Sequence, residues 1–104
     1  MVSEPRLEIK DFAEEMEYKM ALKDEERGDS WKQMPMDFFR KRLDEEVLEL
    51  KRAIEEKGFV EVTKEAADVA NISMMIAWRA KEKWVNKAVA TMFPEEKNEE
   101  DARP

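Results

Sequence analysis

The chain has 104 residues, of which 42% are hydrophobic and 43% charged, and its formal net charge is −7. The length suits one small domain, and two glycines with four prolines are too few for a multi-stranded β fold, which favours helices. The absence of cysteine and histidine excludes disulfides, thiol catalysis and the commonest transition-metal ligand, while the acidic balance argues against nucleic acid as a partner.

Two helices and an intervening turn are predicted in the first half of the chain. The first helix covers 7–23, where the apolar residues Phe12, Met16 and Met20 recur at helical spacing. A polar stretch with Gly28 then forms a turn. The second helix covers 38–56, with Asp37 as its N-cap and Gly58 ending it.

The second half is predicted to form one long and one short helix. The long helix begins with Thr63 as its N-cap and continues to about Lys83, and the short one covers 85–92. We therefore expect an all-α fold, a bundle of three to four helices in a single domain spanning 1–93. The charged segment 94–104 lacks apolar anchors and is expected to be a flexible tail.

Neither a signal peptide nor a membrane span is evident. The opening MVSEPRLEIK lacks the apolar run of a signal peptide. No segment approaches the roughly 20 apolar residues that cross a bilayer. We therefore expect a soluble, cytoplasmic protein that makes no membrane contact.

Two acidic residues on the second helix stand out from their neighbours. Glu46 and Glu49 are three residues apart, stacked beside the apolar stripe of this helix, whereas Glu45 points towards solvent. The stripe consists of Leu43, Val47, Leu50 and Ile54.

The third helix carries a second acidic pair. Asp68 is the one charged residue in the stretch 66–78, and Glu65 shares its face. A helix this apolar is expected to be buried, and a buried carboxylate needs a compensating partner. Antiparallel packing of the second and third helices would bring Glu65 and Asp68 to Glu46 and Glu49. Four carboxylates in one cleft are tolerable with a cation among them, and all-oxygen ligands favour magnesium or manganese.

A simpler interpretation of the acids is ordinary ion pairing on helix surfaces. Arg42 lies four residues before Glu46, and Lys64 lies four before Asp68. Such pairs contribute about 0.3–0.5 kcal/mol each. With 26 acidic residues, an E-x-x-E spacing also arises easily by chance. The joint arrangement of both pairs favours the metal site over this alternative.

The two acidic pairs resemble the signature of the MazG-like, all-α nucleoside triphosphate pyrophosphohydrolases, E-x-x-E followed by E-x-x-D. Here the signature falls at 46–49 and 65–68, with 15 residues between the pairs. The flanks are also similar, EE-x-x-EL before and DV-x-N after. The likeness covers about 12–77 and is greatest to a small single-domain branch of phages and archaea. The turn at 27–31 matches only loosely.

The resemblance implies a helical bundle assembled as a homodimer or homotetramer. It also implies Mg²⁺, with Mn²⁺ as a possible substitute, held by Glu46, Glu49, Glu65 and Asp68. The activity implied is hydrolysis of a nucleoside or deoxynucleoside triphosphate to the monophosphate and pyrophosphate, in house-cleaning of the nucleotide pool. Within that chemistry we expect Glu46 or Glu49 to be the catalytic base that takes the proton of the attacking water.

Substrate contacts are assigned to residues around the first turn. The phosphates are expected to meet basic residues of the first helix and this turn, or of a neighbouring subunit. Trp31 either stacks on the base or packs in the core or an interface, and Asn71 either contacts the nucleotide or a ligand carboxylate, or hydrogen-bonds between helices. Trp78 and Trp84 are assigned to packing. The candidate phosphate-binding residues are Lys19, Lys23, Arg27 and Lys32.

Two departures from the family pattern concern the third helix and the residues after it. Relatives carry a Lys, Asn and Arg cluster after the third helix, to which Lys87, Asn98 and Arg103 do not align. Trp78 stands where the similar branch has an acid. These departures bear on substrate preference rather than on the metal ligands.

Two other functions remain open on the same residues. One is phosphoribosyl-ATP pyrophosphohydrolase, which shares paired acids and the cleaved bond. The other is a non-catalytic helical dimerisation or regulatory module whose acids form only surface ion pairs. In each case, a helix as apolar as 66–78 needs more cover than three short neighbours provide, which predicts at least a homodimer with active sites near its interface.

Overall fold

The computed structural model describes residues 4–56 and 58–93, and over these residues it is helical with no β-strand. This confirms the all-α class. The helices are α1 (Leu7–Leu22), α2 (Met36–Glu56) and α3 (Phe59–Met92), with a 3-10 turn at Ser30–Gln33.

The long helix α3 is the central element of the fold. Both α1 and α2 pack against α3, but among the described residues they do not pack against each other. The connection between α2 and α3 spans only positions 57–58, which forces the two helices into an antiparallel hairpin. The helix α1 is also antiparallel to α3, since Met16 contacts Asn71 and Lys19 contacts Asp68. A cleft therefore lies between α1 and α2, with α3 as its floor.

The connection from α1 to α2 is anchored on α3 by aromatic rings. Gly28 adopts a φ of +48°, a left-handed conformation that favours glycine, and so turns the chain after α1. Trp31 then meets Trp78 edge to face, with ring centroids 5.4 Å apart. The ammonium of Lys32 lies 5.2 Å from the Trp78 ring centroid. These contacts attach the connection to α3 and confirm the packing role of Trp78.

The core of the single chain is small. Among the described residues, the buried apolar ones are Phe39, Ala53 and Ala67. Asn71 is also buried, and its Nδ2 donates a hydrogen bond to the carbonyl oxygen of Met16, 3.0 Å away. This bond confirms that Asn71 links two helices, because a polar group buried between them needs such a partner.

The predicted division of the second half into two helices is wrong. The segment forms one helix, α3, because no glycine or proline interrupts it between Phe59 and Met92. Its N-cap is Gly58, in an extended conformation. The helix α2 ends at Glu56, just before Gly58, as predicted. Thr63 lies inside the helix, where its hydroxyl donates to the carbonyl oxygen of Phe59, 2.8 Å away.

The predicted start of α2 is also displaced. The helix begins at Met36, directly after Pro35, so Asp37 lies in the first turn and is not the N-cap. An acid in the first turn still stabilises the helix, because its negative charge lies near the positive end of the helix dipole. The predicted tail at 94–104, including Asn98 and Arg103, lies outside the described residues.

Large apolar side chains remain exposed on the single chain. Trp84 is 70% exposed, so it is not packed against the described part of the single chain. Ile54, the last residue of the α2 stripe, is 61% exposed, although its neighbour Ala53 is buried. Within the described ranges, no helix combines the length and apolar character needed to cross a membrane. Others that are more than half exposed are Leu7, Ile9, Tyr18, Leu22, Phe59, Val60, Met92 and Phe93.

Candidate metal centre

Three of the four predicted metal ligands converge between α2 and α3. Glu46, Glu49 and Glu65 each offer a carboxylate oxygen, and these three oxygens lie within 4.8 Å of one another. The convergence follows from the three-residue spacing of Glu46 and Glu49 on α2 and from the antiparallel packing of α3. We call these three residues the acidic cluster.

Asp68 lies beside the acidic cluster but is held by another residue. Its negative charge raises the pKa values of Glu46 and Glu65. Its Oδ2, however, is 3.3 Å from the Nζ of Lys19, a residue of α1. The structure thus places all four predicted acids in one region, with Asp68 at the edge that faces α1.

Burial makes the negative charges of the acidic cluster unfavourable. Burial raises the pKa of Glu46, and the nearby charges of Asp68 and Glu49 raise it further, while the Arg42 guanidinium opposes them. The pKa of Glu65 is likewise raised, first by burial and then by Glu49. The folded chain therefore disfavours the ionised forms of both carboxyl groups.

Two carboxylate oxygens in the acidic cluster lack hydrogen-bond partners. Glu46 Oε2 and Glu65 Oε2 are both buried, and no described residue donates to either one. The other oxygen of Glu46 accepts a hydrogen bond from Arg42 Nη2. Burying carboxylate oxygens without hydrogen-bond donors costs free energy. A hard divalent cation that takes several of these oxygens as ligands would offset that cost. The donor set is therefore suited to Mg²⁺ or Mn²⁺.

The predicted surface ion pairs form in one case and not in the other. Arg42 does pair with Glu46, and it also lies 3.4 Å from Glu45. Lys64 instead pairs with Glu61 at 3.6 Å. The lysine four residues before Asp68 is thus not its partner, because α1 supplies Lys19 from across the cleft.

The cleft between α1 and α2 adjoins the acidic cluster. Its volume is about 530 Å³, within the range of small-molecule sites. Glu46 and Asp68 stand on its wall and floor, together with basic and aromatic side chains. The basic residues lining it are Lys19, Lys23, Arg27 and Arg42, and the aromatic ones are Trp31, Phe38 and Phe39.

Most of the predicted substrate contacts line this cleft. Lys19, Lys23, Arg27, Trp31 and Asn71 do so, whereas Lys32 lies over the indole rings described above. Trp31 Nε1 and Asn71 Oδ1 are buried without a hydrogen-bond partner among the described residues. Trp31 packs against Trp78 and also lines the cleft, so both roles considered for Trp31 stay predictions.

Arg42 and Phe38 are among the lining residues of the cleft that were not predicted as site residues from the sequence. Arg42 had a signal, since it lies one helical turn before Glu46 and so faces the same side of α2. Phe38 had none, because its position depends on how α2 packs against α3. A smaller cleft of about 200 Å³ lies on the opposite side of the acidic cluster and is lined by Glu49 and Glu65.

Comparison with protein-family models, with curated proteins and with solved structures finds no match to this chain. The resemblance drawn from the acidic pairs therefore stays a prediction.

Proposed function

We propose that this chain is a magnesium-dependent nucleoside triphosphate pyrophosphohydrolase, which converts a nucleoside or deoxynucleoside triphosphate and water to the monophosphate and pyrophosphate. The observation that carries the proposal is the acidic cluster itself. Three carboxylate oxygens lie within 4.8 Å of one another, and two buried oxygens of these residues have no donor. The cluster adjoins a cleft whose size and basic lining fit a nucleotide.

The charges of the cleft support a triphosphate as its ligand. Acids alone would repel phosphate, but four cationic side chains line the same cleft. Lys23 and Arg27 lie just after the C-terminal end of α1. Lys19 and Arg42 pair with the carboxylates of Asp68 and Glu46. A polyphosphate could thus contact the cations along its length and approach the acidic cluster at one end.

Glu46, Glu49, Glu65 and Asp68 would hold the metal. When bound, a divalent cation would neutralise phosphate oxygens and acidify a water molecule. The water oxygen would form a new bond to the α or the β phosphorus, and the bond from that same phosphorus to the oxygen that bridges the two would break. Pyrophosphate and the monophosphate would then separate. A carboxylate takes the proton of the water. Glu49 is better placed than Glu46 to pass it to solvent, since Glu49 is exposed and Glu46 is buried against Arg42.

The proposed assembly is a homodimer or homotetramer. The single chain buries few large apolar side chains completely, and the C-terminal third of α3 exposes Trp84 and Met92 by about 70% each. An apolar surface of this kind is typical of a chain that completes its core with a second copy.

Pyrophosphate release tests the proposal directly. A panel of canonical, deoxy- and damaged nucleotides, together with phosphoribosyl-ATP, is incubated with the protein in magnesium or in EDTA. We expect release that requires magnesium, and we expect Glu49→Gln to abolish it without unfolding the protein. Glu55→Gln, an exposed acid on the same helix, is the matched control and should retain activity.

The outcomes separate the candidate functions. Release from phosphoribosyl-ATP alone would assign the phosphoribosyl-ATP pyrophosphohydrolase activity. No release from any substrate, by a folded protein that magnesium does not stabilise, would leave the non-catalytic module. Full activity of Glu49→Gln would contradict the proposed role of the acidic cluster.

A further inference from the structure

The Lys19 ammonium lies where a bound cation would compete with it. Lys19 Nζ is 3.3 Å from Asp68 Oδ2, and the two side chains are only 19% and 17% exposed. Asp68 is also the one predicted ligand that lies outside the acidic cluster. In the free chain, the negative charge of Asp68 is thus neutralised by Lys19 of α1.

This ion pair would compete with a divalent cation at Asp68. Mg²⁺ needs direct oxygen ligands at about 2.0–2.1 Å, so binding at Asp68 would place two positive charges against the same carboxylate. The lysine side chain is long and flexible and ends in a point charge, so it can move without disturbing α1. It also lines the cleft, one helical turn before Lys23, so a bound phosphate would offer it a new partner.

Arg42 is held more firmly than Lys19. Its guanidinium engages one oxygen of Glu46, Oε1, much as the Lys19 ammonium engages one oxygen of Asp68. It also lies 3.4 Å from Glu45 on the same helix. Arg42 is therefore held by a second carboxylate when Glu46 takes part in metal binding, whereas Asp68 is the one ion-pair partner of Lys19 among the described residues, which makes Lys19 the easier cation to displace.

We propose that Lys19 is an exchangeable cation of this site: it neutralises Asp68 in the free protein and transfers to a substrate phosphate when the metal takes its place. The inference rests on the proposed function. It makes Lys19 a positioning residue that couples the two ligands. Metal alone binds weakly because it must displace Lys19, and metal with a polyphosphate binds well because the displaced ammonium gains a partner.

One substitution should have opposite effects on the binding of two ligands. Lys19→Met keeps the length of the side chain and removes its charge. We expect Mn²⁺ alone to bind the variant about tenfold more tightly than the wild type, and magnesium tripolyphosphate to bind it about tenfold more weakly. A lysine that only tied α1 to α3 would weaken both when removed.

Isothermal calorimetry on the full chain measures both affinities, with Mn²⁺ and magnesium tripolyphosphate as the probes. Lys23→Met is the matched control. Lys23 lines the same cleft on the same side, but makes no ion pair with a described residue. It should weaken tripolyphosphate binding and leave Mn²⁺ affinity unchanged. Lys19→Arg should restore the weak Mn²⁺ binding of the wild type.

The outcomes distinguish this inference from the proposed function. If the wild type binds Mn²⁺ and Lys19→Met binds it no more tightly, the inference is overturned and the metal site stands. If neither protein binds Mn²⁺, the metal site itself fails and the inference fails with it. Circular dichroism establishes that the variants are folded, and Lys19→Gln replaces Lys19→Met if the latter is not.

Discussion

The substitution Glu65→Gln is expected to stabilise the metal-free protein. Its carboxylate oxygen lies within 4.8 Å of those of Glu46 and Glu49, and its Oε2 is buried without a donor. An amide in this place would remove one negative charge and would supply a donor to a neighbouring carboxylate. Glu65 would thus be needed for metal binding while lowering the stability of the metal-free protein.

The size of the effect depends on the separation of the charges. Two unit charges 4.8 Å apart repel by about 0.9 kcal/mol at the dielectric constant of water and by about 3.5 kcal/mol at an effective value of 20. Glu49 is exposed and Arg42 offsets part of the charge of Glu46, which favours the lower half of this range. We expect about 1–2 kcal/mol, or a rise in Tm of about 5–15 °C for a domain of this size.

Thermal unfolding followed by circular dichroism measures this change. In EDTA at neutral pH and low salt, Glu65→Gln should melt above the wild type. Millimolar magnesium should raise the Tm of the wild type and have little effect on the variant, because binding to the native state alone stabilises it. Glu55→Gln, at an exposed position on α2, is the control and should follow the wild type in both conditions.

Two results would refute this reasoning. One is a Glu65→Gln variant that is less stable than the wild type in EDTA. Such a result would mean that the Glu65 carboxylate gains more from its surroundings than it loses to repulsion. The other is an equal magnesium-dependent rise in Tm for both proteins, which would place the metal elsewhere.

Two further predictions concern pH and the core. The folded-state pKa of Glu65 is raised above its ordinary value of 4.5, so ionisation of Glu65 costs the wild type stability as pH rises through that raised pKa. The stability advantage of Glu65→Gln in EDTA should therefore be full at neutral pH and vanish as pH falls towards 4.5. Urea unfolding across this pH window measures the difference. Phe39 is completely buried, so Phe39→Ala should cost about 3–5 kcal/mol in urea unfolding. Phe38→Ala, at a side chain that is 36% exposed, should cost clearly less, and equal costs would contradict the assignment of Phe39 to the core.

Local sequence pattern predicted most of the helices but not all of their ends. The recurrence of Phe12, Met16 and Met20 placed α1 to within one residue of its observed end, and the structure half-buries these side chains against α3. The starts of α2 and α3 were misplaced, since Asp37 and Thr63 are good capping residues by type yet lie inside helices. Capping propensity is a small preference, and packing of α2 and α3 into a hairpin outweighs it.

The chain itself determined that helices form and which acids share a helical face, because both depend on residues three or four positions apart. The spacing of Glu46 and Glu49, and of Glu65 and Asp68, is of this kind. Only the tertiary structure decided what each acid meets. It brought Glu65 into the acidic cluster and gave Asp68 to Lys19, a residue 49 positions earlier in the sequence. Local spacing cannot specify such a contact, because it depends on α1 and α2 packing on α3 with a cleft between them.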